Sequence, residues 1–216
     1  MYMIQRKIKE MMGMNMFSKV FKKRFITIDT IICGFNREYR AMNSKTLRKE
    51  YKSWKSDLTK QEVSVLRKYR FGTVLPEKRN INAYLREGSF DNKRKNDEVE
   101  TLKGAISKAH IKENVATYRN ISKKEYEFLK KYKVDDIVEN IDFKGTHVVK
   151  GIWSNIASAY VIYLISEGCE CAYINYWGAI FMHEKELLLN CGSKCKVVSI
   201  KKVFDKDCYI LQIIKD

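Results

Sequence analysis

The sequence predicts an α+β fold in which a layer of helices covers a core of two packed, mainly antiparallel sheets. Helical patterns dominate the chain up to about residue 132, and short apolar strand patterns follow to the end. Helices first and strands second are typical of α+β proteins. A chain of 216 residues can bury one substantial core. No run of 18 or more apolar residues occurs, so no membrane span is predicted.

The first 46 residues are predicted to be a basic amphipathic extension in front of a domain covering 47–216. They contain ten Lys or Arg residues against three Asp or Glu, and their apolar residues have helical spacing. Asn43-Ser44 resembles a helix N-cap and marks the expected boundary. No uninterrupted apolar stretch of a secretory signal is evident. Two readings stay open: a helix that packs on the domain, or a surface that binds a delivery partner or an anionic membrane.

Four helices and seven strands are predicted within the domain. The helices lie at about 47–70, 79–87, 97–110 and 122–132, and Ser122 with Glu125 forms a capping box for the last one. The strands lie at about 114–119, 145–156, 159–166, 171–175, 186–190, 195–204 and 207–214. Asp205 to Asp207 is the predicted hairpin turn before the final strand.

The charge and the cysteines restrict the class of partner. The formal net charge is +16, but the lysines are scattered and lack the helix-face clustering of a groove binder, which does not favour nucleic acid. An acidic protein partner uses the same charge.

The six cysteines, with His183 between two of them, do not have zinc-finger spacing. They are predicted to be small buried residues with no metal, and their number favours a reducing compartment such as cytosol.

Two carboxylates stand one residue apart at the start of a predicted strand. Glu184 and Glu186 project from the same face because strand side chains alternate. Such a pair at a strand edge often only blocks aggregation. Like charges this close also raise one pKa unless they share a cationic or hydroxyl-rich ligand. The pair therefore suits carboxylates that orient a sugar hydroxyl and stabilise a positive centre.

The surroundings of this pair resemble the C-terminal signature of bacterial ADP-ribosyltransferase exotoxins. The pair is followed by leucines, a Gly192-Ser193 turn and a Lys-x-Val strand. Upstream lie Arg119 on a short strand and, in the place of a Ser-Thr-Ser strand, Gly151 to Ser158. The segment carrying Tyr69, Asn82 and Arg86 looks like the helical region that covers the nicotinamide site. The ordered pattern is most similar to iota-type enzymatic components, related insecticidal proteins and Rho-modifying exoenzymes.

The resemblance implies the ADP-ribosyltransferase fold and a mono-ADP-ribosyltransferase that uses NAD, with NAD glycohydrolase activity and no metal. It implies a toxin that is secreted or delivered and acts in the target-cell cytosol, on a target protein such as actin or a small GTPase. Arg119 would hold the diphosphate, and Tyr69, Asn82 and Arg86 would flank the nicotinamide and phosphates. Glu186 would bind the ribose and Ser154 would orient Glu186. Glu184 would serve an arginine acceptor, and Phe181 would face the protein substrate.

The chain departs from the family pattern near the serine strand. The motif reads Ser154-Asn155-Ile156, and the segment 157–166 has no Arg or Lys where relatives place a second phosphate-binding arginine. Two alternatives therefore stay open. One is a catalytically inactive ADP-ribosyltransferase fold kept as a binding module, and the other is a basic nucleic-acid-binding protein.

Overall fold

The computed structural model describes residues 24–35, 37–72, 80–154, 156–175 and 185–215. The helices in these ranges are α1 (Ile28–Ile31), α2 (Ser44–Glu50), α3 (Lys52–Ser56), α4 (Lys60–Gly72), α5 (Ile81–Glu87), α6 (Lys93–Ser107) and α7 (Lys123–Leu129). The strands are β1 (Phe25–Thr27), β2 (Arg40–Ala41), β3 (Val115–Ile121), β4 (Ile137–Glu139), β5 (Lys144–His147), β6 (Gly151–Trp153), β7 (Ala159–Ile165), β8 (Cys171–Tyr173), β9 (Glu186–Leu189), β10 (Lys194–Val203) and β11 (Lys206–Ile213). The α+β class is confirmed.

The described strands form one nine-stranded sheet and one two-stranded sheet. The large sheet has the order β4-β10-β11-β7-β3-β5-β9-β8, with β2 added beside β3, and the small sheet pairs β1 with β6. Most pairs are antiparallel, but β11 with β7 and β2 with β3 are parallel. Among the described residues, strand pairing between β3 and β5 consists of the single pair Tyr118 with His147. The large sheet therefore consists of two groups of strands that meet at this pair.

Two apolar clusters cover opposite faces of the long strands. Strand β7 is buried along its whole length, as expected for a central strand with both faces covered. One face packs against α2 to α6 through residues such as Leu47, Leu66 and Leu102. The other face packs against α1 through Ile28 and Ile31. The helical layer predicted from the sequence is thus the cover of the first face.

The prediction of a single helix at 47–70 is wrong, because the chain forms three separate helices there, α2, α3 and α4. The last of them starts at a capping box: the Thr59 hydroxyl accepts from the Glu62 amide at 3.2 Å, and the Glu62 carboxylate accepts from the Thr59 amide at 2.8 Å. The predicted Ser122 capping box of α7 is confirmed. Helix α6 begins earlier than predicted because Asn92 caps it at the Lys95 amide.

The strand predicted at 145–156 is also wrong in its continuity, because it is two strands in different sheets. Strand β5 pairs with β9, whereas β6 pairs with β1. Residues 25–35 and 37–41 pack on the domain: β1 pairs with β6, β2 pairs with β3, and Ile28 and Ile32 are fully buried. The segment just before residue 46 is therefore part of the folded body.

The cysteine side chains differ in their burial. Cys169, Cys171, Cys195 and Cys208 are buried, as predicted, whereas Cys33 is exposed and Cys191 is half-buried. Burial raises the pKa of the Cys171 thiol to about 12, so this thiol stays protonated at neutral pH.

Within the described ranges, no helix has the length and apolar character needed to cross a membrane.

Candidate active site

Glu186 opens strand β9 at the edge of the site. Its direct partner across the sheet is His147 of β5, and the next pair is Thr146 with Leu187. The His147 ring in turn contacts the Tyr118 ring, with centroids 5.2 Å apart. The predicted residues Glu184 and Phe181 lie outside the described residues. Strand pairing therefore puts β5, with its sequence Lys-Gly-Thr-His, directly beside Glu186.

Gly145 is the point where Glu186 and Arg119 come together. A Cβ atom built on Gly145 would lie 1.8 Å from Oε1 of Glu186, so the carboxylate occupies the space that a side chain would fill. On the same residue, the carbonyl oxygen accepts a hydrogen bond from Nη1 of Arg119 at 2.9 Å. Only glycine leaves this space free. Sequence reasoning missed Gly145, although a glycine inside a strand pattern is a known sign of close approach.

Arg119 projects from β3 as an ion-paired and partly orphaned cation. Nη2 binds Oε1 of Glu125 at 3.0 Å, and about a quarter of the side chain is exposed. Its Nε is buried and has no hydrogen-bond acceptor among the described residues. Burial lowers the pKa of Arg119. The Glu125 carboxylate, Tyr163 and Tyr69 together raise the pKa by more than burial lowers it, so the pKa is raised overall. Arg119 is therefore a fixed cation whose guanidinium still has N–H donors that no described residue accepts from.

An alternating chain of charges continues from Arg119. Glu125 also lies 3.6 Å from Nζ of Lys144, and Lys144 binds Oδ1 of Asp142 at 2.5 Å. The predicted residue Arg86 follows, with Nη1 3.4 Å from Oδ2 of Asp142. Burial raises the pKa of Glu125, but Arg119 and Lys144 lower it more, so the pKa is lowered overall. Glu125, Lys144 and Asp142 were not predicted as site residues, because only the fold brings them together.

Tyr69 and Asn82 form the helical wall of the site. The Asn82 amide pairs with the Phe143 backbone, donating to its oxygen at 2.9 Å and accepting from its nitrogen at 3.1 Å. Tyr69 packs edge-on against the Phe143 ring, with centroids 5.8 Å apart. Burial raises the pKa of the Tyr69 hydroxyl, the Glu186 charge adds to this, and the Arg119 charge opposes it.

A cavity of about 180 Å³ lies next to Glu125, between α7, the segment 138–144 and β7. Its polar lining includes Arg86, Glu125, Asp142 and Lys144, and its apolar lining includes Phe128 and other side chains from α7 and the sheet. Tyr163 of β7 also lines the cavity, and the segment 157–166 around it contains no Arg or Lys. The cavity holds the cations Arg86 and Lys144 beside Glu125, the ion-pair partner of Arg119, whereas Arg119 and Glu186 are not part of its lining.

Ser154 lies away from this strand pairing. It follows β6, and its hydroxyl accepts from the Arg24 amide at 3.2 Å while its own amide donates to the Arg24 oxygen at 2.9 Å. The orienting role of Ser154 toward Glu186 stays a prediction, because the strand beside Glu186 is β5. Among the residues that the structure describes, no three His, Cys, Asp or Glu side chains group to hold a metal ion.

Comparison with known proteins gives one family. A family model described as ADP-ribosyltransferase exoenzyme matches residues 47–214. A search of curated protein sequences gives no match.

Several solved structures have a similar fold. Plx2a, an ADP-ribosyltransferase toxin from Paenibacillus larvae, is 21% identical with a TM-score of 0.64, covering 79% of this chain and 94% of that one. BECa, an ADP-ribosylating toxin of C. perfringens solved with NADH, is 19% identical with a TM-score of 0.68, covering 82% of this chain and 50% of that one. An ADP-ribosyltransferase from Clostridium botulinum, solved in a triclinic form, is 14% identical with a TM-score of 0.65, covering 82% of this chain and 99% of that one.

Proposed function

Because this chain belongs to the ADP-ribosyltransferase exoenzyme family, we propose that it is a mono-ADP-ribosyltransferase that moves ADP-ribose from NAD onto a protein side chain. NAD is the substrate of this family, and BECa was solved with NADH. The observation that carries the proposal is the meeting of Arg119 and Glu186 at Gly145. A cation for the phosphates and a carboxylate for the ribose are thereby brought next to the same residue.

The reaction needs positioning and electrostatic stabilisation more than a strong nucleophile. The bond from the ribose C1′ to the nicotinamide nitrogen breaks, and its electron pair leaves with nicotinamide. The acceptor nitrogen then forms the new bond to C1′ and loses a proton. The sugar is positively charged between these events, so a fixed carboxylate beside it lowers the barrier. Glu186 is the proposed source of that charge, and its carboxylate also accepts from the ribose 2′-hydroxyl.

The remaining predicted residues have separate roles in the proposal. Arg119 binds the diphosphate through charge-assisted hydrogen bonds, and its Nε is one of the donors without an acceptor among the described residues. Tyr69 forms part of the wall beside Glu186, and Asn82 fixes that wall to the Phe143 backbone. Arg86 lines the cavity and keeps Asp142 neutralised. Ser154 remains proposed as a residue that positions Glu186, from outside β5, the strand paired with Glu186.

The acceptor and the setting are proposed from the resemblance stated above. Glu184 stands where relatives that modify asparagine tend to have glutamine, which argues for an arginine acceptor. Phe181 is proposed to contact the target protein, for which actin or a small GTPase is expected. A secreted or delivered toxin acting in the target-cell cytosol fits this chemistry, and the iota-type subgroup and the glycohydrolase side activity are part of the same proposal. The basic segment 1–46 is the proposed contact for a delivery partner or an anionic membrane.

An inactive ADP-ribosyltransferase fold is the second candidate, and one observation favours it. The strand beside Glu186 carries Gly145 and His147 rather than serines, and β7 offers Tyr163 in place of a cation. An inactive module would bind NAD without releasing nicotinamide.

The experiment that separates the two candidates is label transfer from NAD to proteins of a cell lysate. Wild-type protein should produce a labelled band, and Glu186→Gln should reduce labelling by about 100-fold, the scale for removal of one electrostatic stabiliser. Glu127→Gln is the matched control, because Glu127 is half exposed and pairs only with Lys130 among the described residues. Equal labelling by Glu186→Gln and Glu127→Gln would remove Glu186 from the mechanism.

A further inference from the structure

Glu125 is shared between two cations of the site. Its Oε1 lies 3.0 Å from Nη2 of Arg119 and 3.6 Å from Nζ of Lys144. Its Oε2 faces the other way and accepts from the amide of Ser122 at 3.3 Å and from the Ser122 hydroxyl at 3.4 Å. One oxygen therefore serves the cations, and the other serves the capping box of α7.

Three cations of this cluster share two ion-pair partners. Among the described residues, Arg86, Arg119 and Lys144 lie 3.6 Å or less from the Glu125 or Asp142 carboxylate, and the Glu186 carboxylate lies next to Gly145, which also binds Arg119. The Lys144 side chain is 14% exposed and the Asp142 side chain 2% exposed, so these charges interact with little screening by water. The buried Nε of Arg119 also has no acceptor within the described part of the chain. Both features point to an anion that completes the cluster.

We propose that Glu125 stands in for the diphosphate of NAD on Arg119, and that Lys144 is the second cation that binds the diphosphate once Glu125 is displaced. This inference rests on the proposed function. The diphosphate carries two negative charges, so it replaces one carboxylate contact with two charge-assisted contacts. Glu125 keeps its hydrogen bonds to Ser122 through Oε2 during the exchange, so helix α7 stays capped.

Lys144 supplies the positive charge that β7 lacks. The segment Ala157 to Ser166 has no Lys or Arg, and Tyr163 lines the cavity there. Lys144 enters the same cavity from β5, the strand whose Gly145 contacts both Arg119 and Glu186. Side chains alternate along a strand, so Lys144 projects from the face of β5 opposite to Gly145, and its link to Arg119 is the shared Glu125 carboxylate.

The test is calorimetric binding of ADP-ribose, NAD and nicotinamide to the full chain. Lys144→Met should weaken ADP-ribose and NAD binding by at least about tenfold, which corresponds to about 1.4 kcal/mol, and should leave nicotinamide binding unchanged because nicotinamide has no phosphate. Lys144→Arg keeps the charge and should bind like the wild type. Lys130→Met is the control, because Lys130 is half exposed and pairs with Glu127 on the surface of α7.

Glu125→Gln gives the opposite sign and is the sharper test. Glutamine also forms capping boxes, so α7 should persist while the competing charge is removed. ADP-ribose should then bind several-fold more tightly, with a single cooperative melting transition as the check on folding. Weaker binding by this variant, or equal binding by Lys144→Met and wild type, would overturn the inference alone. Failure of the wild type to bind either NAD or ADP-ribose would overturn the proposed function together with it.

Discussion

Replacing Gly145 with alanine is expected to displace the Glu186 carboxylate and to stop the reaction without unfolding the protein. The new Cβ would lie 1.8 Å from Oε1, 2.9 Å from Cδ and 3.4 Å from Cγ of Glu186. Ordinary contacts begin near 3.4 Å, so the carboxylate has to move by about 1.5 Å. A misplacement of about 1 Å in an active site can cost about 100-fold in rate.

The stability effect of this substitution should be small for two reasons. The atoms in conflict are the far end of a flexible side chain, and Gly145 does not have the positive φ that alanine avoids. We therefore expect a change in unfolding free energy of less than about 1 kcal/mol, measured by urea titration. Gly104→Ala is the control, because a Cβ there meets nothing within 4 Å.

The assay for Gly145→Ala is the rate of nicotinamide release from NAD, followed together with the urea titration. Gly145→Ala should resemble Glu186→Gln in rate and Gly104→Ala in folding. Full activity of a folded Gly145→Ala variant would show that the carboxylate position seen beside Gly145 is not the one used in the reaction.

Three further predictions concern the N-terminal segment, the acceptor and pH. A chain starting at Asn43 should unfold or melt far earlier than one starting at Arg24, because it loses buried isoleucines of α1 worth roughly 1.5–3 kcal/mol each; thermal denaturation of both decides this. Glu184→Gln should abolish transfer to protein while some NAD glycohydrolysis remains, and equal loss of both would place Glu184 in the NAD site. The pKa of Glu125 is lowered from 4.5, so its contribution to stability is complete above pH 4.5 and is lost as the pH falls further; the stability gap between wild type and Glu125→Gln should shrink on acidification, and a constant gap in urea titrations would contradict this.

Local patterns were enough to predict much of the fold. The α+β class and the Ser122 capping box depend on periodicity and capping, which the neighbouring residues of the chain determine. The short elements β1, α1 and β2 were missed, because they hold together only by pairing with β6 and β3 and by burial of α1. A three-residue strand has no periodicity long enough to recognise.

The sequence predicts a site residue only where the residue type itself indicates a chemical role, as a charged Arg or Glu does. The resemblance to the exotoxin family predicts Arg119 and Glu186 as site residues, and the structure brings both next to Gly145. Gly145 itself acts by leaving space, and a space becomes visible only when two strands are paired in register. Lys144 and Asp142 were missed for a related reason, since their ion pairs join distant elements.

The central claim is that Glu186 stabilises the sugar cation of NAD, and nicotinamide release by purified full-length protein tests it most directly. The wild type should release nicotinamide from NAD continuously, and Glu186→Gln should do so about 100-fold more slowly while binding NAD with similar affinity. Equal rates of release by wild type and Glu186→Gln, or no release by a wild type that binds NAD, would contradict this mechanism.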